Sequence, residues 1–139
     1  VLDHFPGKQV GLIGTKRTVQ SGVYSRKITE GNKNITLHSL ATPLLAPMIE
    51  EGFFNNQISH EIIAQYLSDE SLKNIEALIL ACTHYPLIKK EIDSFYQGKM
   101  MILDSSEVVA IALKNYLEKE GLINRGSGMQ QHFLVSDYT

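Results

Sequence analysis

The stretch EALILACTHYPLIKKEI, residues 76–92, decides the fold of this chain. Its apolar run, residues 77–81, has the length and composition of a buried strand, and the residues from about Pro86 to Phe95 have a helical pattern. Between these two segments stand a histidine, His84, and the only cysteine of the chain, Cys82. A strand that passes directly into a helix is the repeating unit of an α/β sheet. The connection in this unit carries the single thiol.

The rest of the chain repeats this alternation. Short apolar runs predict strands at residues 9–13, 35–41 and 100–103, with a candidate last strand at 131–135. Helical spacing predicts helices at residues 15–28, 43–52, 59–67 and 107–119, with Ser59 as one N-cap and Asp104 or Ser105 as another. Four near-continuous apolar strands between helices predict the α/β class, with a parallel four-stranded sheet and helices on both faces.

Composition narrows the class of protein. The chain has 139 residues, 43% of them apolar, and a net charge of −2 with scattered lysines and arginines, so a basic nucleic-acid-binding surface is not expected. One cysteine excludes an internal disulfide, and neither a signal peptide nor a long apolar span is present. We therefore expect a cytoplasmic protein without a membrane partner. The start at Val1 and the ending HFLVSDYT suggest a fragment.

Polar residues follow the predicted strands at the edge where parallel sheets bind ligands. The carboxyl ends of the strands form that edge, and the residues expected there are 14–18, 42–43, 82–84 and 104–106. All four groups contain small or polar side chains. The pattern predicts a small-molecule site at this edge.

Cys82 allows two interpretations. A free cysteine beside a strand is most often a small core residue. Cys82, however, lies beyond the apolar run and near the expected start of the next helix, whose dipole would favour thiolate. His84 is close enough in sequence to exchange a proton, although it could also be merely exposed at a helix start. A metal site that adds His38 and His60 lacks any known ligand spacing, so no metal is expected.

Three other candidates are individually weaker. The segment GLIGTKRT, residues 11–18, lacks the spacing of a dinucleotide or Walker A motif. Its Thr15 and Thr18 would either cap a helix or bind a carboxylate at the helix start. Glu50 alone has the character of a solvated charge near a helix end.

Together these segments closely resemble the second half of glutamate racemases, cofactor-independent enzymes that make D-glutamate for peptidoglycan. LACTHYPLI, residues 80–88, resembles that family's second-cysteine motif, with Ala81 in place of the usual glycine. Residues 11–24 resemble its G-T-x-x-T segment, and residues 40–52 resemble the stretch whose pocket glutamate falls on Glu50. Aspartate racemases of the same superfamily typically carry glutamate in place of His84, so the histidine favours glutamate as the substrate.

The resemblance implies a mechanism and a set of roles. In this family two cysteines flank the substrate, and one thiolate takes the α-proton while the other thiol returns one, with no cofactor or metal. Cys82 and His84 would be catalytic, and His84 would also contact the substrate. Thr83 would bind the substrate as well, together with Thr15, Thr18 and Glu50.

The resemblance also implies a division of the chain. Residues 1–104 would form the second lobe of the two-lobed fold, and residues 105–139 would be a helix and a strand that return to the first lobe. That N-terminal lobe holds the family's other cysteine, so the chain alone is expected to be inactive. Without it, the tail could join copies of the chain into a homo-oligomer.

Three alternatives stay open at this point. The chain could be a stand-alone module that binds a small carboxylate without chemistry, or a related racemase of the aspartate or hydantoin type. It could also be a cysteine hydrolase that uses Cys82 and His84. For the hydrolase the sequence offers no oxyanion-hole or orienting-acid signature.

Overall fold

A computed structural model describes residues 9–31 and 34–124, together with residues 126, 132 and 134. The strands are β1 (Gln9–Gly14), β2 (Thr36–Ala41), β3 (Ala77–Ala81) and β4 (Met101–Asp104). The helices are α1 (Lys16–Gln20), α2 (Val23–Gly31), α3 (Leu45–Glu50), α4 (Gln57–Leu67), α5 (Lys89–Phe95) and α6 (Ser105–Lys119), with 3₁₀ helices at Glu70–Leu72 and Tyr85–Ile88. All strand pairs are parallel, in the order β2-β1-β3-β4. The predicted α/β class and four-stranded parallel sheet are confirmed.

The register of the sheet brings three strand ends to one level. Gly14, the last residue of β1, pairs with Ala41 of β2 and with Ala81 of β3. The residues that follow these three positions therefore leave the sheet side by side. They are Thr15, Thr42 and Cys82, which is the edge that the sequence predicts for ligand binding.

One face of the sheet carries the main core. Ile13, Leu78 and Leu80 project from β1 and β3 into a buried cluster with side chains from α3, α4 and α5. Each of these three is fully buried, and every such side chain adds about 1.5–3 kcal/mol to folding. This face therefore fixes the helices that stand next to the strand ends.

The other face is covered more thinly. Val10 and Ala77 are buried there beneath Ile35, Leu37, Ile79 and Leu103. An apolar cavity of about 280 Å³ separates α2 from the start of α6, and Ile79 and Leu103 are among its lining residues. Helices thus stand on both faces, as predicted, but α6 has no buried residue.

Two predicted helices have different bounds in the structure. The single helix expected at 15–28 is two helices, because the backbone turns at Gly22, which has a φ of +63° that favours glycine. The helix expected from Ser59 begins at Gln57, with Asn56 as its N-cap. Ser59 is the third residue of the helix and forms a capping box with Asn56. The side chain of each residue accepts a hydrogen bond from the backbone N–H of the other.

The helix after the cysteine also departs from the prediction. Tyr85–Ile88 is a 3₁₀ helix, and the α-helix begins only at Lys89. The N–H of Tyr85 donates to the carbonyl of Cys82 over 3.2 Å, so one N–H of the first turn is already used. The proposed effect of a helix dipole on the thiol is therefore weaker than the sequence suggested.

The end of the chain is only partly described. α6 begins at Ser105 with Asp104 as its N-cap, which confirms one of the two predicted caps. The strand predicted at 131–135 lies outside the described residues, except for His132 and Leu134, which are not in a strand. Among the described residues, no helix is long and apolar enough to cross a membrane.

Candidate active site

Cys82, His84 and Glu50 form a continuous chain of contacts at the edge where the strands end. The Cys82 Sγ lies 3.7 Å from Nδ1 of His84, and Nε2 of the same ring lies 3.2 Å from Oε1 of Glu50. The thiol is half-buried, and the His84 side chain is 39% exposed, so a molecule in solvent can reach both. Because each ring nitrogen faces one partner, the imidazole can pass a proton to or from the thiol while the carboxylate stabilises its charged form.

A different element of the fold positions each of the three residues in this series of contacts. β3 carries Cys82 to the edge of the sheet, and His84 is the N-cap residue of the 3₁₀ helix that follows. Glu50 is the last residue of α3, which packs on that 3₁₀ helix through the core. The juxtaposition therefore depends on tertiary packing between segments 34 positions apart in the sequence.

Glu50 adds a feature for which the sequence offers no signature. Its carboxylate lies 3.2 Å from the His84 ring, in the position of the orienting acid that a cysteine hydrolase would need. The carboxylate comes from an element remote in sequence, so no local motif could have revealed it. Its predicted contact with substrate stays a prediction.

Thr15 and Thr18 are bonded to each other at the start of α1. Their hydroxyl oxygens are 2.9 Å apart, and the N–H of Thr18 donates to Oγ1 of Thr15 over 3.2 Å. Thr15 is therefore the N-cap of α1, which is the simpler of the two roles considered for it. Both threonines are half-buried beside Gly14, whereas the side chain of Thr83 is exposed.

Two residues beneath the edge had no role assigned from the sequence, although Thr42 was expected at the edge itself. Tyr85 and Thr42 are both fully buried, and their side-chain oxygens are 2.6 Å apart. The Tyr85 hydroxyl also lies 3.2 Å from the Thr42 carbonyl, and the Thr42 hydroxyl 3.3 Å from the carbonyl of Gly14. Burial raises the pKa of Tyr85 to about 12, and the negative charge of an ionised Cys82 adds to the rise. The only sequence signal for this pair was the position of Thr42 at a strand end.

The other two histidines considered for a metal site have partners of their own. Nε2 of His38 lies 2.5 Å from Oε1 of Gln9, and Nε2 of His60 lies 3.2 Å from Oε1 of Glu91. In the part of the chain that the structure describes, no group of three or more His, Cys, Asp or Glu side chains could hold a metal ion.

Comparisons with curated proteins and with solved structures point to the same kind of enzyme, although a third comparison finds no match. No protein-family model matches the chain. The glutamate racemase of Chlorobaculum parvum is 39% identical over 130 residues, which are 93% of this chain and 48% of that protein.

Solved structures give the same family. The glutamate racemase of Francisella tularensis, solved in complex with D-glutamate, matches 86% of this chain and 45% of its own with a TM-score of 0.77 and 37% identity. The racemase isoform RacE1 of Bacillus anthracis matches 89% of this chain and 47% of its own, with a TM-score of 0.80 and 30% identity. The chain spans about half the length of the relatives it matches. The resemblance drawn from the motifs is confirmed, and on sequence and fold the chain is a relative of the glutamate racemases.

Proposed function

We propose that this chain is one lobe, the C-terminal one, of a cofactor-independent glutamate racemase that supplies D-glutamate for peptidoglycan synthesis in the cytoplasm. The observation that carries the proposal is the contact chain from Cys82 through His84 to Glu50. It stands on a sheet that relatives of the chain share, and one of them was solved with D-glutamate.

Removal of the α-proton of glutamate requires a base, and the contacts among Cys82, His84 and Glu50 can provide one. The α-proton of an amino acid is very weakly acidic, so its removal requires a base held close to the carbon. In our proposal the Cys82 thiolate takes that proton on one face of glutamate, or its thiol returns one there. The His84 imidazole exchanges protons with the sulfur, and Glu50 stabilises the imidazole when it is charged.

Substrate binding is assigned to the threonines around the thiol. Thr15 and Thr18 leave β1 at the level at which Cys82 leaves β3, because Gly14 and Ala81 are paired. Their hydroxyls and that of Thr83 would bind the carboxylate and amino groups of glutamate. The same edge would hold the substrate within reach of His84 and Glu50.

Inversion needs a second group on the opposite face of the α-carbon, and this chain has one cysteine. We propose that the half of the relatives that this chain does not cover corresponds to a first lobe, which supplies that group. Residues 1–104 would then be the second lobe, and residues 105–139 would return toward the first. The exposed state of α6 supports this division.

Circular dichroism of D-glutamate and uptake of solvent deuterium at its α-carbon test the proposal together. The chain alone is expected to give no loss of optical activity, and a protein that also contains the first lobe is expected to racemise glutamate. In that protein, Cys82→Ser and His84→Asn should each lower turnover by orders of magnitude. His38→Asn, which changes a histidine on the edge strand β2, is the matched control and should keep turnover. Normal turnover in Cys82→Ser would contradict the proposal.

A second candidate function, thiol-dependent hydrolysis, is favoured by the orienting position of Glu50. A thiol, an imidazole and a carboxylate in series are the parts that a cysteine nucleophile requires. An ester with a chromophoric leaving group distinguishes this function. A burst of product that Cys82→Ala abolishes would favour the hydrolase, and its absence would favour the racemase.

A further inference from the structure

Glu91, on the inner side of α5, is a buried carboxylate outside the contact chain of Cys82. Its side chain is 4% exposed. Oε1 accepts hydrogen bonds from the Ser59 hydroxyl at 2.7 Å and from the N–H of Asn55 at 3.2 Å, and Nε2 of His60 lies 3.2 Å away. Oε2 is buried and has no hydrogen-bond partner in the part of the chain that the structure describes.

These bonds fix the segment that follows Glu50. Glu50 ends α3, residues 51–56 form the connection to α4, and Asn55 lies in that connection with a φ of +59°. Asparagine tolerates this left-handed conformation, and hydrogen bonds from neighbouring elements restrain the segment further. The bond from the Asn55 N–H to Glu91 is one such restraint, and the Ser59 hydroxyl ties the first turn of α4 to the same oxygen.

The helix that carries Glu91 is continuous in sequence with the other half of the site. His84 caps the 3₁₀ helix Tyr85–Ile88, and α5 follows it without a break. Glu91 therefore lies on α5, which follows His84 in the sequence. Its carboxylate binds the 51–56 connection, which follows Glu50. A single carboxylate links the two segments whose side chains, His84 and Glu50, are in contact.

Stability alone does not account for this arrangement. A buried carboxylate loses its hydration, and the loss is offset only when its oxygens are bonded. Oε1 of Glu91 accepts two hydrogen bonds and lies 3.2 Å from Nε2 of His60, whereas Oε2 has no hydrogen-bond partner among the described residues. A packed apolar side chain at this position would avoid that cost, but it could not hold the Asn55 N–H.

We propose that Glu91 is a positioning residue that holds Glu50 against His84. This inference rests on the proposed function, because it assigns Glu91 a role in the proton exchange between His84 and Cys82. Glu91 acts through the 51–56 connection and does not touch the thiol. Without it, α3 and its terminal glutamate would still fold, but Glu50 would spend less time beside the imidazole.

The single cysteine makes a direct test available in the chain itself. The rate at which iodoacetamide alkylates Cys82 at neutral pH follows the thiolate that the imidazole helps to form. We expect Glu50→Gln and Glu91→Met each to slow alkylation several-fold, because both release the imidazole from its carboxylate. Glu91→Gln keeps an oxygen that can accept from Asn55 and should recover most of the rate. Glu118→Met makes the same change on the exposed helix α6 and is the matched control.

The combined variants decide between a positioning role and a general loss of stability. In the Glu50→Gln background, Glu91→Met should cause no further slowing, since the residue through which it acts is already gone. Equal slowing in both backgrounds, or an unchanged rate in Glu91→Met alone, would overturn the inference.

Failure of the proposed function gives a different result. If His84→Asn leaves the alkylation rate unchanged, the histidine does not serve the thiol, and both proposals are overturned. If Glu91→Met does not fold, Ser59→Ala is used in its stead. This variant removes one hydrogen-bond donor to the Glu91 carboxylate. Slowing by Ser59→Ala only while Glu50 is present supports the positioning role, and any other result overturns it.

Discussion

At the scale of single residues, the hydroxyl pair of Tyr85 and Thr42 carries a cost and a benefit. Burial of a phenol is favourable only if its oxygen is bonded, and the Thr42 side chain and carbonyl provide that partner. The pair also ties the residue after β2 to the 3₁₀ helix that follows Cys82. It therefore supports the site from below, with no atom exposed to a substrate.

We predict that Tyr85→Phe lowers the free energy of unfolding by about 1–2 kcal/mol at neutral pH, because Thr42 loses a buried partner. The difference between the two chains should then shrink as pH rises from 10 to 12. Burial raises the pKa of Tyr85 from 10.0 to about 12, so unfolding releases its proton in that window and the wild type loses stability that phenylalanine cannot lose. Urea unfolding at a series of pH values measures both effects.

Tyr116→Phe is the control for this substitution, because Tyr116 is 57% exposed on α6. Its change in unfolding free energy should stay within about 0.5 kcal/mol. A constant difference between wild type and Tyr85→Phe across pH 10 to 12 would show that the folded protein does not suppress ionisation of Tyr85.

The residues of the site differ in how far sequence could predict them. Cys82 and His84 are neighbours in a local motif, and their contact follows from the strand end and the turn. The pairing of His84 with Glu50, and of Tyr85 with Thr42, joins segments more than thirty positions apart. Such pairs depend on how α3 and the 3₁₀ helix pack. A local pattern does not contain that information.

At the scale of elements, Gly11 shows why β1 can lie at the centre of the sheet. A Cβ built on Gly11 would be 2.6 Å from Cδ1 of Ile75 and 3.1 Å from side-chain carbons of Leu72 and Leu78. The segment after the 3₁₀ helix Glu70–Leu72 therefore rests directly on the backbone of β1. The absence of a side chain at this one position sets how closely that cover approaches the sheet.

We predict that Gly11→Ala lowers the free energy of unfolding by about 1–3 kcal/mol, because three packed side chains must move to admit one methyl group. Ile75→Val removes the nearest clashing atom, so the double variant should recover part of the loss that the two single variants would give by addition. Urea unfolding of all four proteins measures the coupling. Strict additivity would mean that Ile75 does not limit the space beside Gly11.

Elements were easier to predict than their boundaries. Strands β1 to β4 follow from apolar runs that any parallel sheet buries, and each was predicted within about one residue of its bounds. Helix starts were less certain, because two polar residues near α4 compete as caps and only the folded backbone selects Asn56. The break at Gly22 likewise depends on a positive φ that helical spacing does not reveal.

At the scale of the whole molecule, α6 is the feature that the lobe itself does not explain. Val109, Ile111, Leu113 and Tyr116 are each more than half exposed, and none of the residues of this helix is buried. The sequence predicts that, without a first lobe, the tail could join copies of the chain. Among the described residues, the start of this helix approaches the sheet beside the apolar cavity that Val108 and Val109 line. Pairing with another surface would cover its exposed apolar side chains.

We predict that the chain self-associates through α6 when no first lobe is present. Apolar surface gains about 25 cal/mol for each Å² removed from water, so a second copy that covers this face offers a favourable alternative to exposure. Leu113 and Tyr116 are three positions apart and share one face of the helix, so Leu113→Lys combined with Tyr116→Lys should lower the mass measured by light scattering to that of a monomer. Asn115→Lys adds a charge to the same exposed helix without removing apolar surface, and it should leave the association intact. A wild-type chain that is monomeric at all accessible concentrations would contradict this prediction.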